Sequence, residues 1–373
     1  MNEFDDIRAY DDHDVDDVLN ALLKDSEFIA FLSEQSYPRL SRWVPKWVRN
    51  QTHQRLEQHL QDVQTVAQWQ GLLAPYVDKL LQSTIKTLNV SGLEHVPHGP
   101  CVFISNHRDI AMDPLLVNYA LLKSGRPTSR VAIGDNLLSK PFVSKIMRLN
   151  KSFVVKRSVT ARREKLESLQ TLSNYIHSCL KTQNSVWIAQ KEGRAKDNVD
   201  VTDTAVLKML HMAGRKLGWD FQQSMHFLNI IPVSLSYEWD PCDIDKAKEL
   251  SHVNQGLRYE KSHDEDFQSI VKGLRGYKGR VGVHFGAAIK LDSQSAEDWG
   301  RAIDHAIYQG YEIYPVNEFA ASKLGETSVN APSEKIQAIW NKRYGQESES
   351  IQKQLLQNYR QPYLVRQETV HDC

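Results

Sequence analysis

The stretch that decides the fold is CVFISNHRDIAMDPLL, residues 101–116. Its first five residues are mostly apolar and predict a buried strand, and Asn106 and His107 follow directly. The Asp-Pro pair at 113–114 predicts the start of a helix. A junction from strand to helix is where α/β enzymes carry reactive side chains at a crevice. The stretch therefore predicts an active-site position at His107.

A histidine with an acid nearby is typical of a general base. The carboxylate fixes the imidazole tautomer and stabilises the imidazolium that forms when the ring takes a proton. Two acids, Asp109 and Asp113, are close enough along the chain to serve. Either acid could orient the ring, and the residues alone leave both open. The alternative is structural, since a His-Asp pair near a helix start is also typical of helix capping.

Three further apolar segments follow this junction along the chain, and in two of them the apolar run ends in basic residues. They are KSFVVKRS (151–158), SVWIAQKEGRAKD (185–197) and NIIPVSLSYEWD (229–240). Basic residues at the ends of neighbouring strands would converge on one rim and bind a phosphate. The candidates are Lys156, Arg157, Lys191 and Arg194. Solvated charges at strand ends are the structural alternative for each.

Helical patterns separate these segments and complete an α/β alternation. We expect strands at 87–90, 100–105, 153–155, 185–189, 229–236 and 280–285, and helices from about 114, at 162–181 and at 205–217. Strands alternating with helices of ten or more residues predict a three-layer α/β fold with a mixed sheet. An acidic helix pair over residues 1–35 and a helical region after 294, ending in a Gln-rich polar tail from Gln346, would be terminal additions.

The order of the four blocks resembles the phospholipid/glycerol acyltransferase family, over roughly residues 85–290. Asn106 to Pro114 resembles the family's His/Asp block, 153–157 its second block, 188–194 its Pro-Glu-Gly-Thr-Arg block and 230–233 its apolar block. Two departures stand out. Five residues separate His107 from Asp113 where the family has four, so the loop must bulge by one residue if Asp113 is the partner. We favour Asp113 over Asp109, because it shares with the family the following proline and the onset of the helix. The third block lacks a residue between Gly193 and Arg194.

The resemblance implies a glycerolipid acyltransferase that works without an acyl-enzyme. His107 would take the proton of an acceptor hydroxyl, which attacks a thioester of CoA or acyl-carrier protein, with Asp113 or Asp109 orienting the ring. Substrate binding would fall to Arg157, Lys156, Glu192, Gly193, Arg194 and Lys191. No metal or other cofactor is implied, and the acceptor would be glycerol 3-phosphate, a lysophospholipid or a related precursor. A non-catalytic lipid-binding protein and a thioesterase are the rival functions.

Bulk properties limit the remaining classes. Of 373 residues, 46 are Lys or Arg and 46 are Asp or Glu, so nucleic-acid binding by a basic domain is not expected. The cysteines, Cys101, Cys179, Cys242 and Cys373, show no paired spacing and indicate reduced thiols. We expect three regions, a helical 1–75, an acyltransferase domain at 76–293 and a helical extension at 294–373.

A short basic segment suggests how the chain reaches lipid. Residues 39–49 hold two tryptophans, Trp43 and Trp47. Four cations lie around them in the sequence: Arg39, Arg42, Lys46 and Arg49. Indole rings rest at a membrane interface while cations meet anionic phosphates. The acidic N-terminus and the lack of a long apolar span then predict a cytoplasmic protein, peripheral at the inner face of an anionic membrane. The alternative is a helix whose tryptophans pack on the protein itself, with a break at Pro45 in either case.

Overall fold

The computed structural model describes residues 3–138, 140–259, 265–327 and 333–371. The chain divides into two compact units. The first comprises the residues up to Asp78 together with Arg130–Ser168, and the second comprises Lys79–Ser129 together with the residues from Leu169 onward. The predicted region boundaries at 75 and 293 stay a prediction.

The described residues contain seven strands and sixteen α-helices. The strands are β1 (Ile85–Ser91), β2 (Val102–Ser105), β3 (Arg130–Gly134), β4 (Ser152–Val155), β5 (Val186–Ala189), β6 (Ile230–Tyr237) and β7 (Gly279–Phe285). The helices are α1 (Val15–Leu23), α2 (Ser26–Ser36), α3 (Leu40–Trp43), α4 (Pro45–Leu60), α5 (Val66–Thr84), α6 (Met112–Lys123), α7 (Pro141–Leu149), α8 (Arg162–Lys181), α9 (Thr204–Lys216), α10 (Phe221–Leu228), α11 (Asp243–Asn254), α12 (Glu265–Arg275), α13 (Ala296–Gln309), α14 (Pro315–Lys323), α15 (Glu334–Tyr344) and α16 (Glu349–His371).

Five strands of the second unit lie in the order β1-β7-β6-β2-β5. Strand β2 is central and parallel to both β5 and β6, and all four of its residues are buried, as expected for a strand covered on both faces. Strand β7 is antiparallel to β6 and parallel to β1, so the sheet is mixed. The predicted α/β fold with a mixed sheet is thereby confirmed.

The register of these strands fixes where the candidate residues emerge. Ser105 at the end of β2 lies opposite Ala189 of β5 and Val233 of β6. Because the three strands are parallel, their carboxyl ends meet at one edge of the sheet. His107 and the residues that follow Ala189 therefore leave the sheet at the same edge.

The first unit combines the N-terminal helices with a parallel pair of strands, β3 and β4. The predicted helix pair is confirmed as α1 and α2, and the Asp25 carboxylate accepts hydrogen bonds from the first amides of α2. Apolar residues from α1, α2, α4, α5 and α7 form its core. Strand β3 was not predicted from the sequence.

The C-terminal region belongs to the second unit and is helical, as predicted after residue 294. Its last segment differs from the expected polar tail: α16 is a 23-residue helix that buries Leu355, Tyr359 and Tyr363. Three apolar positions spaced by four residues lie on one face of a helix. The many glutamines between them made the segment look polar in the sequence. Trp239, Trp340 and Tyr344 pack in the same cluster.

Candidate active site

The candidate site begins where β2 ends, at Asn106 and His107. The Asn106 side chain donates to the Leu235 carbonyl at 2.9 Å and accepts from the Leu235 amide at 2.8 Å. This pair of bonds replaces a strand ladder step and fixes the junction to β6. The His107 carbonyl in turn accepts from the Ala195 amide at 2.9 Å, so the junction is held from both sides.

The imidazole of His107 lies against the carboxylate of Asp113. His107 Nδ1 and Asp113 Oδ2 are 2.9 Å apart, and the His107 side chain is 13% exposed while that of Asp113 is fully buried. A hydrogen on Nδ1 donates to the carboxylate, which leaves Nε2 as the basic nitrogen of the ring. The edge of Trp187 faces the same ring, with centroids 5.8 Å apart. The arrangement is that of an oriented general base.

Asp113 is held by three donors in addition to His107. Its Oδ2 accepts from the amides of Arg108 at 2.6 Å and Asp109 at 2.8 Å, and its Oδ1 accepts from the Tyr237 hydroxyl at 2.6 Å. Burial and the neighbouring carboxylates raise the pKa of Tyr237 well above its usual value, so the phenol stays a donor. A buried carboxylate with four donors has its charge compensated and its orientation fixed.

The extra residue between His107 and Asp113 is accommodated as a turn around this carboxylate. Two successive amides point inward to Asp113 Oδ2, as described above. The Arg108 carbonyl points the other way and accepts from Lys246 Nζ of α11 at 2.7 Å. Lys246 also pairs with Asp240, which the Arg108 guanidinium approaches to 4.0 Å. Although burial alone would raise it, these two cations hold the pKa of Asp240 below its ordinary value.

Asp109, the other candidate acid, lies in the turn before α6. Its Oδ1 accepts from the amides of Ala111 at 3.0 Å and Met112 at 2.9 Å, which closes this turn beside the first residue of the helix. Its other oxygen faces Gly273 of α12, so closely that a Cβ there would lie 2.0 Å from it. Burial and the charge of Asp113 raise the pKa of Asp109. The structure thus brings Asp113, and not Asp109, to the imidazole.

The third block forms an irregular segment, residues 190–203, which we call the basic loop after its three cations, although it also holds four acids. Lys191 Nζ lies 3.2 Å from Asp200 Oδ1, and Asp200 Oδ2 accepts from the His107 amide at 2.6 Å. Gly193 has φ +80°, a conformation that glycine adopts without strain. Arg194 is partly buried, and its Nη1 has no hydrogen-bond partner among the residues described. Glu192 is exposed.

The candidates of the second block lie in the first unit. Lys156 Nζ is 3.3 Å from Asp6 Oδ2, and the Arg157 amide donates to Asp135 Oδ1 at 3.0 Å. Both residues are exposed. Strand β4, which precedes them, pairs with β3, whereas β5 pairs with β2 in the second unit. Convergence of these cations with Lys191 and Arg194 therefore remains a prediction.

Three residues near His107 were missed by the sequence reasoning: Tyr237, Asp200 and Trp187. Tyr237 had a usable signal, because it ends β6, the parallel neighbour of β2, and must emerge at the same edge as His107. Trp187 had a similar signal, because it lies in β5, the other parallel neighbour of β2. Its Nε1 donates to Ser105 Oγ at 3.1 Å. Asp200 had none, because it lies in a loop with no regular structure.

The basic segment 39–49 is exposed as a whole, apart from Ser41 and Val48. Helix α3 ends at Trp43 and α4 begins at Pro45, so the break at the proline is confirmed. Trp43 is 85% and Trp47 58% exposed. The alternative in which these rings pack on the protein's own core is therefore wrong. No helix within the described ranges is apolar and long enough to span a bilayer.

The thiols agree with the reduced state expected from sequence at the positions described. Cys101 and Cys242 are free and buried, and Cys179 is buried as well. Burial raises the pKa of the Cys101 and Cys242 thiols to about 12, which makes them poor nucleophiles. Cys373 lies outside the described residues.

Part of the chain that includes the candidate site is similar to a known protein family. A family model described as Acyltransferase matches residues 87–236, which include His107, Asp113 and the basic loop. The match covers less than half of the chain, and over these residues the chain is similar to the acyltransferase family. This confirms the resemblance drawn from the four blocks, all of which fall within the matched residues. Helices α11 to α16 lie beyond them.

Two individual proteins are similar to the chain. The glycerol-3-phosphate acyltransferase of Pseudomonas fluorescens (strain SBW25) is 25% identical over 210 residues, which cover 56% of this chain and 23% of that protein. The chain thus spans about a quarter of that relative's length. The second is the 1-acyl-sn-glycerophosphate acyltransferase of Thermotoga maritima, known from a crystal structure, which is 14% identical in sequence. The match covers 64% of this chain and 79% of that chain, with a TM-score of 0.34. That score is too low to carry an argument.

Proposed function

We propose that the chain transfers an acyl group from an acyl thioester to a hydroxyl of a phosphorylated glycerol-type acceptor, with His107 as general base. The observation that carries the proposal is the His107–Asp113 pair, with the acid fully buried and held by three further donors. That much preorganisation around one carboxylate is unnecessary for the turn before α6, which the bonds of Asp109 already close. It suits a carboxylate that must stabilise an imidazolium in the transition state.

The reaction needs one nucleophile, the acceptor hydroxyl itself. Nε2 of His107 accepts the hydroxyl proton as the oxygen forms a bond to the thioester carbonyl carbon. The carbon–sulfur bond then breaks, and the leaving thiolate takes the proton from the imidazolium. CoA and acyl-carrier protein are the two carrier classes that would supply such a thioester. Asp113 keeps the ring in one tautomer throughout.

Binding of the acceptor phosphate is assigned to the basic loop. Arg194 supports this assignment, because a buried guanidinium nitrogen without a partner is costly unless an anion binds there. Lys191 adds a cation beside the His107 backbone, through Asp200. Gly193 lets the chain turn between them, and Glu192, Lys156 and Arg157 complete the proposed set. An acceptor held by its phosphate at this loop would present a hydroxyl near Nε2.

The test is a transfer assay with purified chain, acyl-CoA or acyl-carrier protein, and a panel of glycerol 3-phosphate, lysophosphatidate and unphosphorylated glycerol. We expect thiol release only with a phosphorylated acceptor, and loss of about 10² to 10⁴ in rate for His107→Ala. Thiol release at the same rate without acceptor would instead identify a thioesterase. No turnover with any combination, together with retained lipid binding, would identify a non-catalytic member of the fold.

We further propose that residues 39–49 attach the chain to an anionic membrane. Four exposed cations surround two exposed tryptophans, and the segment holds no acid. Each cation near an anionic surface contributes about 1 kcal/mol, so four give an association that salt weakens. The exposed indoles add interfacial insertion, since Trp rests at the headgroup level.

Flotation with anionic and neutral liposomes tests the membrane proposal. A variant carrying Arg42→Glu, Lys46→Glu and Arg49→Glu should stay in the soluble fraction with anionic liposomes, while wild-type chain floats and is released by salt. A matched control, Arg163→Glu with Lys165→Glu and Lys181→Glu, changes the same charge on α8 and should float. Equal flotation of the 39–49 variant would refute the proposal. Transfer to a soluble acceptor should be the same in all three proteins.

A further inference from the structure

The basic loop has no helix or strand of its own, so other parts of the chain must fix its conformation. Fourteen residues in irregular structure would otherwise sample many backbone states, each fixed residue costing about 1–2 kcal/mol of entropy. The loop bonds to His107 through Ala195 and Asp200 and to Glu249 of α11 through Lys196, and further contacts come from helices α13 and α16. These two helices lie outside the acyltransferase match, which ends at residue 236.

The first tie is made by Asp304 of α13. Its Oδ1 accepts from the Thr202 amide at 2.8 Å, from the Thr202 hydroxyl at 2.6 Å and from Gln190 Nε2 at 3.0 Å. Gln190 and Thr202 stand at the two ends of the basic loop. One buried carboxylate oxygen therefore closes the loop by joining its beginning to its end.

The second tie is made by Tyr308, one turn along the same helix. Its hydroxyl donates to the Asp200 carbonyl at 2.5 Å. Asp200 is the residue whose carboxylate accepts from the His107 amide and pairs with Lys191. Tyr308 thus holds the backbone of the residue that connects the basic loop to the general base.

The third tie is made by Asn358 of α16. Its side chain donates to the Lys196 carbonyl at 3.0 Å, and its own carbonyl accepts from Asn198 Nδ2 at 2.7 Å. Asn198 has φ +66°, a left-handed conformation that asparagine tolerates better than most residues. The middle of the loop is therefore fixed by reciprocal bonds to one residue of the C-terminal helix.

We propose that Asp304, Tyr308 and Asn358 are positioning residues, through which the C-terminal helices hold the basic loop in the conformation that binds the phosphorylated acceptor. The inference rests on the proposed function for the identity of the ligand. The positioning residues do not touch the reacting atoms, and they leave the His107–Asp113 pair in place. Their loss should therefore weaken acceptor binding more than it slows the chemical step.

Kinetics of two variant pairs test this. Asp304→Ala removes the shared acceptor, whereas Asp304→Asn keeps an Oδ1 that can accept the same bonds. Tyr308→Phe removes one hydroxyl donor, whereas Tyr311→Phe removes a buried hydroxyl that has no hydrogen-bond partner among the described residues. In Asp304→Ala and Tyr308→Phe we expect the KM of the acceptor to rise by roughly ten- to a hundredfold, because small misplacements have effects of this size. Asp304→Asn and Tyr311→Phe should resemble wild type, and the KM of the acyl donor should be unchanged throughout.

Hydrogen exchange supplies a readout that does not depend on activity. Amides of residues 195–203 should exchange faster in Asp304→Ala and Tyr308→Phe than in wild type and in Tyr311→Phe. If Asp304→Ala does not fold, Tyr308→Phe still decides the question. An unchanged acceptor KM with unchanged exchange in a folded Tyr308→Phe chain would overturn the inference. Wild-type chain that transfers nothing would instead refute the proposed function, while the exchange measurement would still judge the positioning.

Discussion

The negative charge of Asp113 is proposed to stabilise the protonated His107, whereas that of Asp109 is not. Replacing each acid by its amide tests this difference. Asp113→Asn keeps an oxygen that can accept from the Arg108 and Asp109 amides, so the turn should persist. It removes the negative charge 2.9 Å from His107 Nδ1. Asp109→Asn keeps an oxygen that can accept from the Ala111 and Met112 amides, so the turn before α6 should persist. The pair is matched in size and in chemical change.

The expected loss follows from the charge separation. The centres of an imidazolium and a carboxylate in this contact are about 4 Å apart, and at an effective dielectric constant of about 20 they attract by about 4 kcal/mol. That energy acts in the transition state, where the ring is charged, and corresponds to about 10³ in rate. For Asp109→Asn the rate should stay within about twofold, because the bonds of this turn survive.

The assay is initial-rate thiol release from acyl-CoA with a phosphorylated acceptor at saturation, at a pH near 7. Circular dichroism and thermal unfolding must first show that both variants are folded. If Asp109→Asn slows turnover as much as Asp113→Asn does, the role given to Asp113 is wrong. Wild-type turnover in a folded Asp113→Asn chain would also refute the reasoning.

Three further expectations concern stability. Gly273→Ala should lower the unfolding free energy by about 1–3 kcal/mol in urea denaturation, because its Cβ would lie 2.0 Å from Asp109 Oδ2; an unchanged midpoint would count against that contact. Tyr237→Phe leaves Asp113 Oδ1 without its donor and should cost about 1–3 kcal/mol, read as a lower melting temperature, and equal melting would contradict the bond. Burial raises the pKa of Asp304 from 3.8 to about 6, so the folded chain binds more protons than the unfolded one in that interval. Wild-type stability should then lose up to about 3 kcal/mol from this group as pH rises from 4 to 6, and Asp304→Asn should lack that component when the two are denatured at each pH.

Local sequence patterns were sufficient to predict the strand-to-helix junction that holds His107. Strands β2, β5 and β6 are runs of apolar residues bounded by polar ones, which is how a strand covered on both faces reads in sequence. The contact between His107 and Asp113 was also within reach, because both belong to one short segment at a helix start. The bulge needed for the extra residue was expected as well, but its cause, two amides turned toward one carboxylate, is a matter of atomic positions.

Other features left no local trace. Strand β3 reads RVAIG, and because alanine and glycine are both depleted in strands the run does not distinguish a strand from a connection. Lys246 was invisible because its bond to Arg108 joins residues 138 positions apart. The same is true of Tyr308 and Asn358, which bond to the basic loop from more than 100 residues away. Hydrogen bonds between an irregular loop and a distant helix follow no period, so no pattern of one sequence indicates them.

The extent of the acyltransferase match, 87–236, is therefore smaller than the structure that the site requires. Strand β1 lies within the matched residues except for its first two, yet its ladder is formed with β7, at Gly279–Phe285. Without β7 the edge of β6 would also be left open, because the two pair antiparallel from Val233 to Tyr237. Unpaired strand edges expose backbone groups that are costly to leave unsatisfied in a core. The residues beyond 236 thus complete the sheet that carries the general base, and the helices after them order the loop beside it. In this chain the C-terminal region is thus part of the structure that holds the candidate site.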